Sequence, residues 1–393
     1  MQELAGRILR RVGGSSAVRA ALGRRTVDRE DLGRATADGA ADADWTMRWT
    51  GDPQTLTYSE PATPAPYPEK IDRRTSESFR LPAPFLAEFT DAHLVGRRGL
   101  TMAADGRYVT EASALGNTEL LVQNLAVTVA DGHAPVRRTP RRRLDCAVSL
   151  AGSWNFGYFH WTTDWLARLD AVRRYEADSG AEPSVLLPPD VTPWMLQSLD
   201  AAGVPEERRV HWSGERIGVD RLLVPSVRRV VHDDEPRDVD VLDPDALDWL
   251  RATMRANTAD VDPPDDVTSR IYVSRADADA RRVRNESALM DALSKYGFTR
   301  VVPSRLTVPE QVATFRDADV VVGPHGAGLT NALYADDATL LEFFGDRVAT
   351  CYLTLTENLP VTYGLLEADP RGTDMVVSPT AVVDALASMG VDP

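Results

Sequence analysis

A glycine-rich segment follows directly after an apolar run near residue 320. The run VVV (residues 320–322) leads into GPHGAGLTN (residues 323–331), a pattern that predicts a buried strand, a tight turn and a helix. Glycines at such a turn let backbone N–H groups approach a phosphate, and the N-terminus of a helix favours negative charge. His325 and Thr330 can add donors. The segment is neither the dinucleotide fingerprint nor a P-loop, so a plain strand-to-helix turn is the structural alternative.

Arginines cluster after a second predicted strand. Ser274 and Arg275 follow the apolar run at residues 271–273, and Arg282 and Arg284 come within the same loop. Arginine suits a diphosphate because it forms paired hydrogen bonds with it. Salt bridges to neighbouring acidic residues are the alternative. That alternative is strong for Arg281 and Arg284 and weaker for Arg275, which directly follows the strand.

A single acidic residue, Glu342, lies near the end of the apolar segment TLLEFF (residues 339–344). A carboxylate in that position could accept hydrogen bonds from ribose hydroxyls. An acid within an apolar strand must be paired, because an unpaired buried charge costs stability. A ligand and a structural arginine are equally suitable partners on this pattern.

An imidazole and a carboxylate stand four residues apart in WNFGYFHWTTD (residues 154–164). His160 and Asp164 therefore share one face of a predicted helix. Such a pair makes a general base, with either residue as the base and the other orienting it. Two ligands are too few to predict a metal site. The structural alternative is a hydrogen-bonded pair that stabilises the helix.

Strand and helix patterns alternate from about residue 150 onward, which predicts an α/β fold with parallel sheets. Before that, a hairpin is expected to turn at residues 104–106. Four strands and three helices are predicted over residues 270–343, and Thr307 is the expected N-cap of a helix at 308–316. We predict a polar helical extension with a Pro-rich linker (1–80), a first α/β domain (81–258) and a nucleotide-binding α/β domain (259–393), separated at the acidic, Pro-rich stretch 260–269.

The chain is strongly acidic. Asp and Glu number 59 against 44 Lys and Arg, and the net charge is −15. This charge repels phosphate backbones, so no nucleic-acid partner is expected. The excess of acid, with only two lysines, indicates adaptation to high salt and a halophilic archaeon as the source. A GC-rich genome would favour arginine over lysine but would not explain the acid excess.

The sequence contains neither an obvious secretion signal nor a run of 18 apolar residues. We therefore expect a cytoplasmic protein. An Arg-rich helix is predicted at the N-terminus, and peripheral contact with the inner face of the membrane is the alternative to a solvated helix. Cys146 and Cys351 lie far apart and form no disulfide framework.

Three motifs, occurring in order, resemble those of glycosyltransferase family 61. The first is an Asn followed by a His and an Asp four apart. The second is a Ser-Arg at a strand end followed by Arg-x-x-Asn-Glu. The third is Gly-x-His-Gly-Ala-Gly-Leu-Thr-Asn with an acid one strand later. The resemblance covers roughly residues 145–345 and does not cover 1–80. The matching residues are Asn155, His160, Asp164, Ser274, Arg275, Arg282, Asn285, Glu286, Gly323–Asn331 and Glu342.

The resemblance implies a GT-B-like fold, in which two Rossmann-like domains face each other across a cleft. It also implies inversion at the anomeric carbon, a nucleotide-sugar donor and no obligatory metal or other cofactor. The acceptor would be a glycan or a lipid-linked glycan, as in capsule or other surface-polysaccharide synthesis.

Each matching residue takes a role from the resemblance. Asp164 and His160 would be catalytic, with Asp164 slightly favoured as the base, and Asn155 would lie on the acceptor side. The donor would be bound by Ser274, Arg275, Arg282, Asn285, His325, Gly326, Ala327, Gly328, Leu329, Thr330, Asn331 and Glu342.

Two other classes of function remain as alternatives. One is an inactive nucleotide- or glycan-binding module derived from a transferase. The other is a hydrolase that uses His325, for which the sequence offers no matching acid, metal cluster or second catalytic histidine.

Overall fold

The computed structural model describes residues 25–32, 44–232 and 239–391. The strands in these ranges are β1 (Thr26–Val27), β2 (Trp45–Thr50), β3 (Gln54–Leu56), β4 (Phe79–Leu81), β5 (Phe85–Val95), β6 (Leu100–Met102), β7 (Tyr108–Val109), β8 (Arg142–Ser149), β9 (Ser184–Leu186), β10 (Arg209–Val210), β11 (Ile217–Pro225), β12 (Arg229–His232), β13 (Val239–Leu242), β14 (Arg270–Val273), β15 (Phe298–Val301), β16 (Val320–Pro324), β17 (Ala338–Phe344), β18 (Val361–Glu367), β19 (Asp369–Arg371) and β20 (Asp374–Val376).

The α-helices lie between these strands, except for the last helix, which follows β20. They are α1 (Glu69–Ser76), α2 (Thr110–Ser113), α3 (Thr118–Ala130), α4 (Tyr158–His160), α5 (Leu169–Ser179), α6 (Pro193–Ala201), α7 (Pro244–Asn257), α8 (Glu286–Leu293), α9 (Val308–Arg316), α10 (Cys351–Thr356) and α11 (Pro379–Ser388). A π-helical turn (Trp161–Trp165) and a 3₁₀ turn (Leu166–Arg168) join α4 to α5.

The chain divides into two compact units that do not follow sequence order. The first contains the described residues up to Pro53, then Pro82–Leu196 and Val204–Arg228. The second contains Gln54–Leu81, Gln197–Gly203 and the described residues from Arg229 onward. This division differs from the sequence prediction, which separated the two α/β domains at residue 258.

Packing explains the difference at that boundary. Helix α7 was predicted to end the first domain, but it packs against α9 and the 3₁₀ helix Ala327–Tyr334 of the second unit. Its residue Met254 is buried and accepts a hydrogen bond from the hydroxyl of Tyr334 at 3.0 Å. The Pro-rich stretch before residue 80 also joins the second unit, because the N–H of Ala62 donates to the carbonyl of Tyr363 at 2.8 Å and the N–H of Leu365 donates to the hydroxyl of Thr63 at 3.1 Å.

The first unit is built on a nine-stranded mixed sheet. Its strand order is β1-β7-β6-β5-β11-β8-β9-β10, and β2 also pairs with β5. The pairs β11·β8, β8·β9 and β9·β10 are parallel, whereas β5 is antiparallel to β11, β6 and β2. The predicted hairpin is confirmed, since β6 pairs with β7 in antiparallel fashion and Gly106 has a positive φ of 88°. The predicted polar helices over residues 1–40 lie outside the described residues except at 25–32, where β1 pairs with β7.

The second unit is built on a five-stranded sheet in which every pair is parallel. Its order is β15-β14-β16-β17-β18. Numbered along the chain this is 2-1-3-4-5, a doubly wound order in which connections leave in opposite directions on either side of β14 and β16. Ligands of such sheets bind outside the carboxyl ends of the strands at this switch point. The sheet therefore singles out the loops that follow β14 and β16.

Most predicted elements between residues 270 and 343 are confirmed within one or two residues. Two features differ. Residues 327–334 form a 3₁₀ helix instead of an α-helix. The fifth strand, β18, was missed because its sequence VTYGLLE holds a central glycine, Gly364, which disfavours a strand locally. A Cβ at Gly364 would stand 2.5 Å from the sulfur of Met389, so packing after helix α11 requires a glycine there.

The N-cap of α9 offers a test of the predicted helix start. Thr307 accepts a hydrogen bond from the backbone N–H of Glu310 at 3.3 Å, and the Glu310 carboxylate accepts one from the Thr307 N–H at 2.7 Å. We expect Thr307→Ala to lower the free energy of unfolding by about 1 kcal/mol, because an amide of the first turn loses its acceptor. Urea denaturation measures the change. Thr307→Ser keeps the hydroxyl and should stay near wild type, so equal losses in both variants would contradict the capping role.

Candidate functional site

The loops at the switch point of the second unit bring two of the predicted segments together. Arg275 follows β14 by two residues, and His325 and Gly326 directly follow β16. A Cβ built on Gly326 would stand 2.7 Å from the Cζ of Arg275 and would overlap its Nη1. The guanidinium therefore occupies the space beside the Gly326 backbone that a Cβ would fill, so a larger residue would displace it.

Arg275 is held in place from its own loop. Its Nε and Nη2 donate to the carbonyl of Ala280 at 3.3 and 3.2 Å. Burial, and next the charge of Arg281, lower the pKa of Arg275. The group nevertheless keeps its charge near neutral pH, because arginine starts far above that range. A partly desolvated cation at a strand switch point suits an anionic ligand.

His325 and Glu342 form a buried pair in the same unit. The imidazole Nδ1 and the Glu342 Oε1 are 2.5 Å apart, and the other carboxylate oxygen accepts from the hydroxyl of Tyr363 at 2.6 Å. Glu342 has no exposed side-chain surface, and His325 keeps 8%. The predicted alternatives for Glu342 were a ribose and a structural arginine. The partners found are a histidine and a tyrosine, which satisfy both oxygens.

The rest of the glycine-rich segment is largely engaged in internal contacts. The N–H of Leu329 donates to the carbonyl of Gly326 at 2.9 Å. This N–H was predicted to bind the donor, but it is already engaged within the segment. Asn331 donates to Gln311 at 2.8 Å. Tyr352, which no motif indicated, donates to the Gly326 carbonyl at 2.6 Å and orients that backbone.

Gly328, Ala327 and Thr330 complete the segment. A Cβ on Gly328 would stand 3.0 Å from Cγ1 of Val273 and 3.1 Å from Cγ of Pro303. The glycine thus serves the close packing of the 3₁₀ helix on the sheet. The hydroxyl of Thr330 lies 3.4 Å from that of Tyr352, and Ala327 begins the 3₁₀ helix.

The second predicted group of donor ligands is engaged in the structure of the loop. Arg282 donates to the carboxylate of Asp374 at 2.9 Å from Nη2. Asn285 both donates to the carbonyl of Val377 and accepts from its N–H, at 2.7 and 3.0 Å. The contact of Arg282 corresponds to the salt-bridge alternative, and the contacts of Asn285 fix the backbone at Val377.

Ser274 also has a structural partner. Its hydroxyl donates to Oε2 of Glu286 at 2.7 Å, and the same oxygen accepts from Tyr272 at 3.2 Å. The other oxygen of Glu286 accepts from Nε of Arg300 at 2.5 Å. Of Ser274, Arg275, Arg282 and Asn285, Arg275 is therefore the one whose side chain lies against Gly326.

His160 and Asp164 meet in the first unit as the spacing predicts. His160 Nδ1 and Asp164 Oδ2 are 2.8 Å apart, and the hydroxyl of Thr163 approaches Oδ1 at 3.4 Å. Asp164 is fully buried, whereas the His160 side chain is 30% exposed. A base must reach the proton that it removes, so this geometry favours His160 as the base and Asp164 as its orienting partner, the reverse of the slight preference drawn from the resemblance.

The backbone around this pair is unusual. Trp154 has a positive φ of 61°, a strained conformation for a bulky residue, and its ring lies 4.9 Å from that of His160. Asp164 belongs to a π-helical turn, a feature often found at functional sites. Asn155 is buried and donates to the carbonyl of Leu150 at 3.3 Å, so it fixes the loop after β8.

Arg168 holds the backbone of the π-helical turn by hydrogen bonds, and the sequence analysis did not identify it as a site residue. Its Nε donates to the backbone carbonyl of Asp164 at 2.7 Å and its Nη1 to that of Glu111 at 3.0 Å. Complete burial lowers the pKa of Arg168 to about 10, which still leaves it charged near neutral pH. The only sequence signal was its position four residues after Asp164.

The described ranges contain no group of three or more His, Cys, Asp or Glu side chains arranged to hold a metal ion. No helix within residues 25–32, 44–232 and 239–391 combines the length and apolar character needed to cross a membrane.

A comparison with known proteins finds a family model that matches this part of the chain. Residues 158–341 match the family model of glycosyltransferase 61. This segment is similar to glycosyltransferase 61 domains. It contains His160 and Asp164 in the first unit and Arg275 and His325 in the second. Glu342 and Tyr363 lie just beyond it.

Two relatives share sequence with part of the chain. The EGF domain-specific O-linked N-acetylglucosamine transferase of Drosophila melanogaster is 34% identical over 105 residues, which is 26% of this chain and 20% of that protein. The protein of the same name from Gallus gallus is 28% identical over 106 residues, 25% of this chain and 20% of that protein. The match thus spans about a fifth of the length of these relatives.

The contact between Arg275 and Gly326 gives a direct test of this site. We expect Gly326→Ala to displace the guanidinium and to weaken binding of a nucleoside diphosphate such as UDP or GDP by about tenfold to a hundredfold, the range for losing hydrogen bonds to a charged group. Isothermal titration calorimetry measures the affinity. Gly345→Ala is the matched control, because the nearest atom to its Cβ is 3.6 Å away. Unchanged affinity in Gly326→Ala would exclude Arg275 from the site.

Proposed function

We propose that this protein is a glycosyltransferase that moves a sugar from a nucleotide-sugar donor to a glycan acceptor. The observation that carries the proposal is the position of Arg275, held against Gly326 at the switch point of a doubly wound parallel sheet. The glycosyltransferase 61 domain supports the same activity. An arginine at this point matches the charge of a sugar nucleotide, whose diphosphate carries the leaving charge of the reaction.

The donor would bind at the carboxyl edge of the second unit's sheet. Arg275 would contact the diphosphate, and the backbone at Gly326 would come close to it because no side chain intervenes. Asp374 already neutralises Arg282, which together with Asn285 would shape the loop without binding the donor directly. The donor-binding set is therefore smaller than the resemblance alone implies.

The acceptor hydroxyl would be activated on the first unit. His160 would accept its proton at Nε2, while the buried Asp164 carboxylate holds Nδ1–H and stabilises the imidazolium that forms. The oxygen would then attack the anomeric carbon as the bond to the diphosphate breaks, with inversion and without an obligatory divalent metal. A GT-B arrangement of the two units is part of this proposal.

The acceptor and the pathway are proposed by chemical class. The first class of acceptor to test is a glycan or lipid-linked glycan of a surface polysaccharide. It would receive the sugar in the cytoplasm or at the inner face of the membrane. A protein hydroxyl is the second, because both relatives are named for O-linked transfer to EGF domains. Their name also makes an activated N-acetylglucosamine the first donor to try.

A screen of nucleotide sugars tests the donor site. We expect at least one of the UDP-, GDP- or ADP-linked sugars to stabilise the protein in a thermal-shift assay at high salt, by about 2.7 kcal/mol at 100 times its dissociation constant. The corresponding free sugars serve as controls and should have no effect. Stabilisation without release or transfer of sugar would indicate a binding module, and no stabilisation by any nucleotide would refute the donor site.

Asp164→Asn tests the acceptor side. The variant retains the shape of the carboxylate but loses its charge, so it should lower kcat by on the order of 10²–10⁴, the usual contribution of general acid–base catalysis. The donor dissociation constant should stay within about twofold of the wild-type value, because Asp164 would act on the acceptor and not on the donor. Steady-state transfer assays and calorimetry measure the two quantities. Asp190→Asn, an exposed acid in the same unit, is the charge-matched control, and full turnover in Asp164→Asn would remove the pair from the mechanism.

A further inference from the structure

Side chains from two adjacent strands, β17 and β18, and from the residue that follows β16 form one hydrogen-bonded chain in the second unit. We propose that Glu342 and Tyr363 are positioning residues and that they direct Nε2 of His325 at the departing diphosphate of the donor. This inference rests on the proposed function. It replaces the role of ribose ligand expected for Glu342, and both positioning residues lie outside the matched domain, which ends at residue 341.

Strand register places the three groups on one face of the sheet. Glu342 of β17 pairs with Gly323 of β16, and His325 lies two residues further along the chain. On the other side Glu342 pairs with Leu365 of β18, and Tyr363 lies two residues before it. Because side chains alternate with a period of two, His325, Glu342 and Tyr363 share a face. The N–H of His325 also donates to the carbonyl of Phe343 at 2.9 Å, which fixes its backbone.

The hydrogen bonds leave Glu342 no oxygen to offer a ribose. Burial and the adjacent carboxylate raise the pKa of Tyr363 well above its usual value, so the tyrosine keeps its proton and donates it to Oε2. Oε1 accepts from Nδ1 of His325. Each oxygen of Glu342 already has a donor, and the carboxylate has no exposed surface at which a ribose hydroxyl could approach it.

The imidazole ring is fixed by packing on two sides. It stacks on Phe344 with ring centroids 5.4 Å apart at 28°, and the ring of Tyr352 lies 5.5 Å away. With Nδ1 bound to Glu342, the ring offers Nε2, which has no protein partner within the described residues. Gly326, the next residue, carries the Arg275 guanidinium on its backbone. The imidazole and the guanidinium therefore flank the same backbone position.

This arrangement has a defined role in the reaction. When both ring nitrogens carry a proton, Nδ1–H donates to the Glu342 carboxylate and Nε2–H is free to donate a hydrogen bond to a phosphate oxygen. As the bond between the anomeric carbon and the diphosphate breaks, its electron pair passes to the diphosphate, and the hydrogen bond strengthens with that charge. The charged or titratable groups that contact or adjoin the histidine are Glu342, Tyr352, Tyr363 and Arg275.

Two amide substitutions of His325 separate this role from simple packing. The glutamine amide reaches the position of Nε2, and the asparagine amide reaches that of Nδ1. We expect His325→Gln to retain most of kcat and His325→Asn to lose on the order of 10²–10³ of it, the cost of removing one such donor. A role limited to holding Glu342 predicts the opposite order, and that result would overturn the inference. Denaturant unfolding of both variants measures folding separately.

Glu342→Gln distinguishes a positioning residue from a ribose ligand. As a positioning residue, Glu342 should affect kcat far more than the donor KM, and its effect should almost vanish in the His325→Asn background. A ribose ligand would instead raise the donor KM by the same factor in both backgrounds, and Glu342→Gln would no longer distinguish a donor from its 2′-deoxy analogue. The second pattern would overturn the inference.

Tyr363→Phe completes the test with a matched control. It should lower kcat while leaving donor KM near wild type. Tyr272→Phe also removes a buried hydroxyl that donates to a carboxylate of this unit, that of Glu286, and it should lose stability but not kcat. Equal loss of kcat in both would overturn the role of Tyr363. Wild-type protein that neither binds nor turns over any nucleotide sugar refutes the proposed function itself, whereas an active wild type with an unimpaired His325→Asn refutes only this inference.

Discussion

A carboxylate without contact to water must find partners inside the protein, and this constraint organises the candidate residues in each unit. Asp164 in the first unit and Glu342 in the second have no exposed side-chain surface. Each is bound to Nδ1 of a histidine that is more exposed than the acid. The buried acid therefore fixes which ring nitrogen is occupied and which one faces outward. The same electrostatic requirement yields two oriented imidazoles, one suited to take a proton and one suited to donate a hydrogen bond.

Two glycines of the segment GPHGAGLTN each allow other atoms to approach the backbone closely, but the atoms that approach differ. Gly326 allows a guanidinium to lie on the backbone, whereas Gly328 allows the 3₁₀ helix to pack on Val273 and Pro303. Neither glycine has a positive φ, so conformational freedom is not the reason for it. The doubly wound strand order brings the loops after β14 and β16 to one edge of the sheet. The contact between Arg275 and Gly326 therefore lies where ligands of such sheets bind.

Arginine content was a poor guide to ligand binding in this chain. Arg282 is neutralised by Asp374, Arg168 lies beneath the π-helical turn, and Arg74 is enclosed by aromatic rings. An acidic protein with few lysines uses arginine for its internal charge balance, since the planar guanidinium forms several directed hydrogen bonds and stacks on rings. Arg275 differs because its donors reach only a backbone carbonyl of its own loop.

Local sequence patterns determined the α/β class, the helix α9 with its cap, the strands β14 to β17 and the pairing of His160 with Asp164. All of these depend on residues within a few positions of one another. Only the tertiary structure decided that α7 belongs with the second unit, that β18 completes the sheet, and that Glu342 binds His325 and Tyr363 instead of an arginine. These outcomes depend on strand order and on which counter-groups arrive from distant parts of the chain, and hydrophobic periodicity carries no information about either.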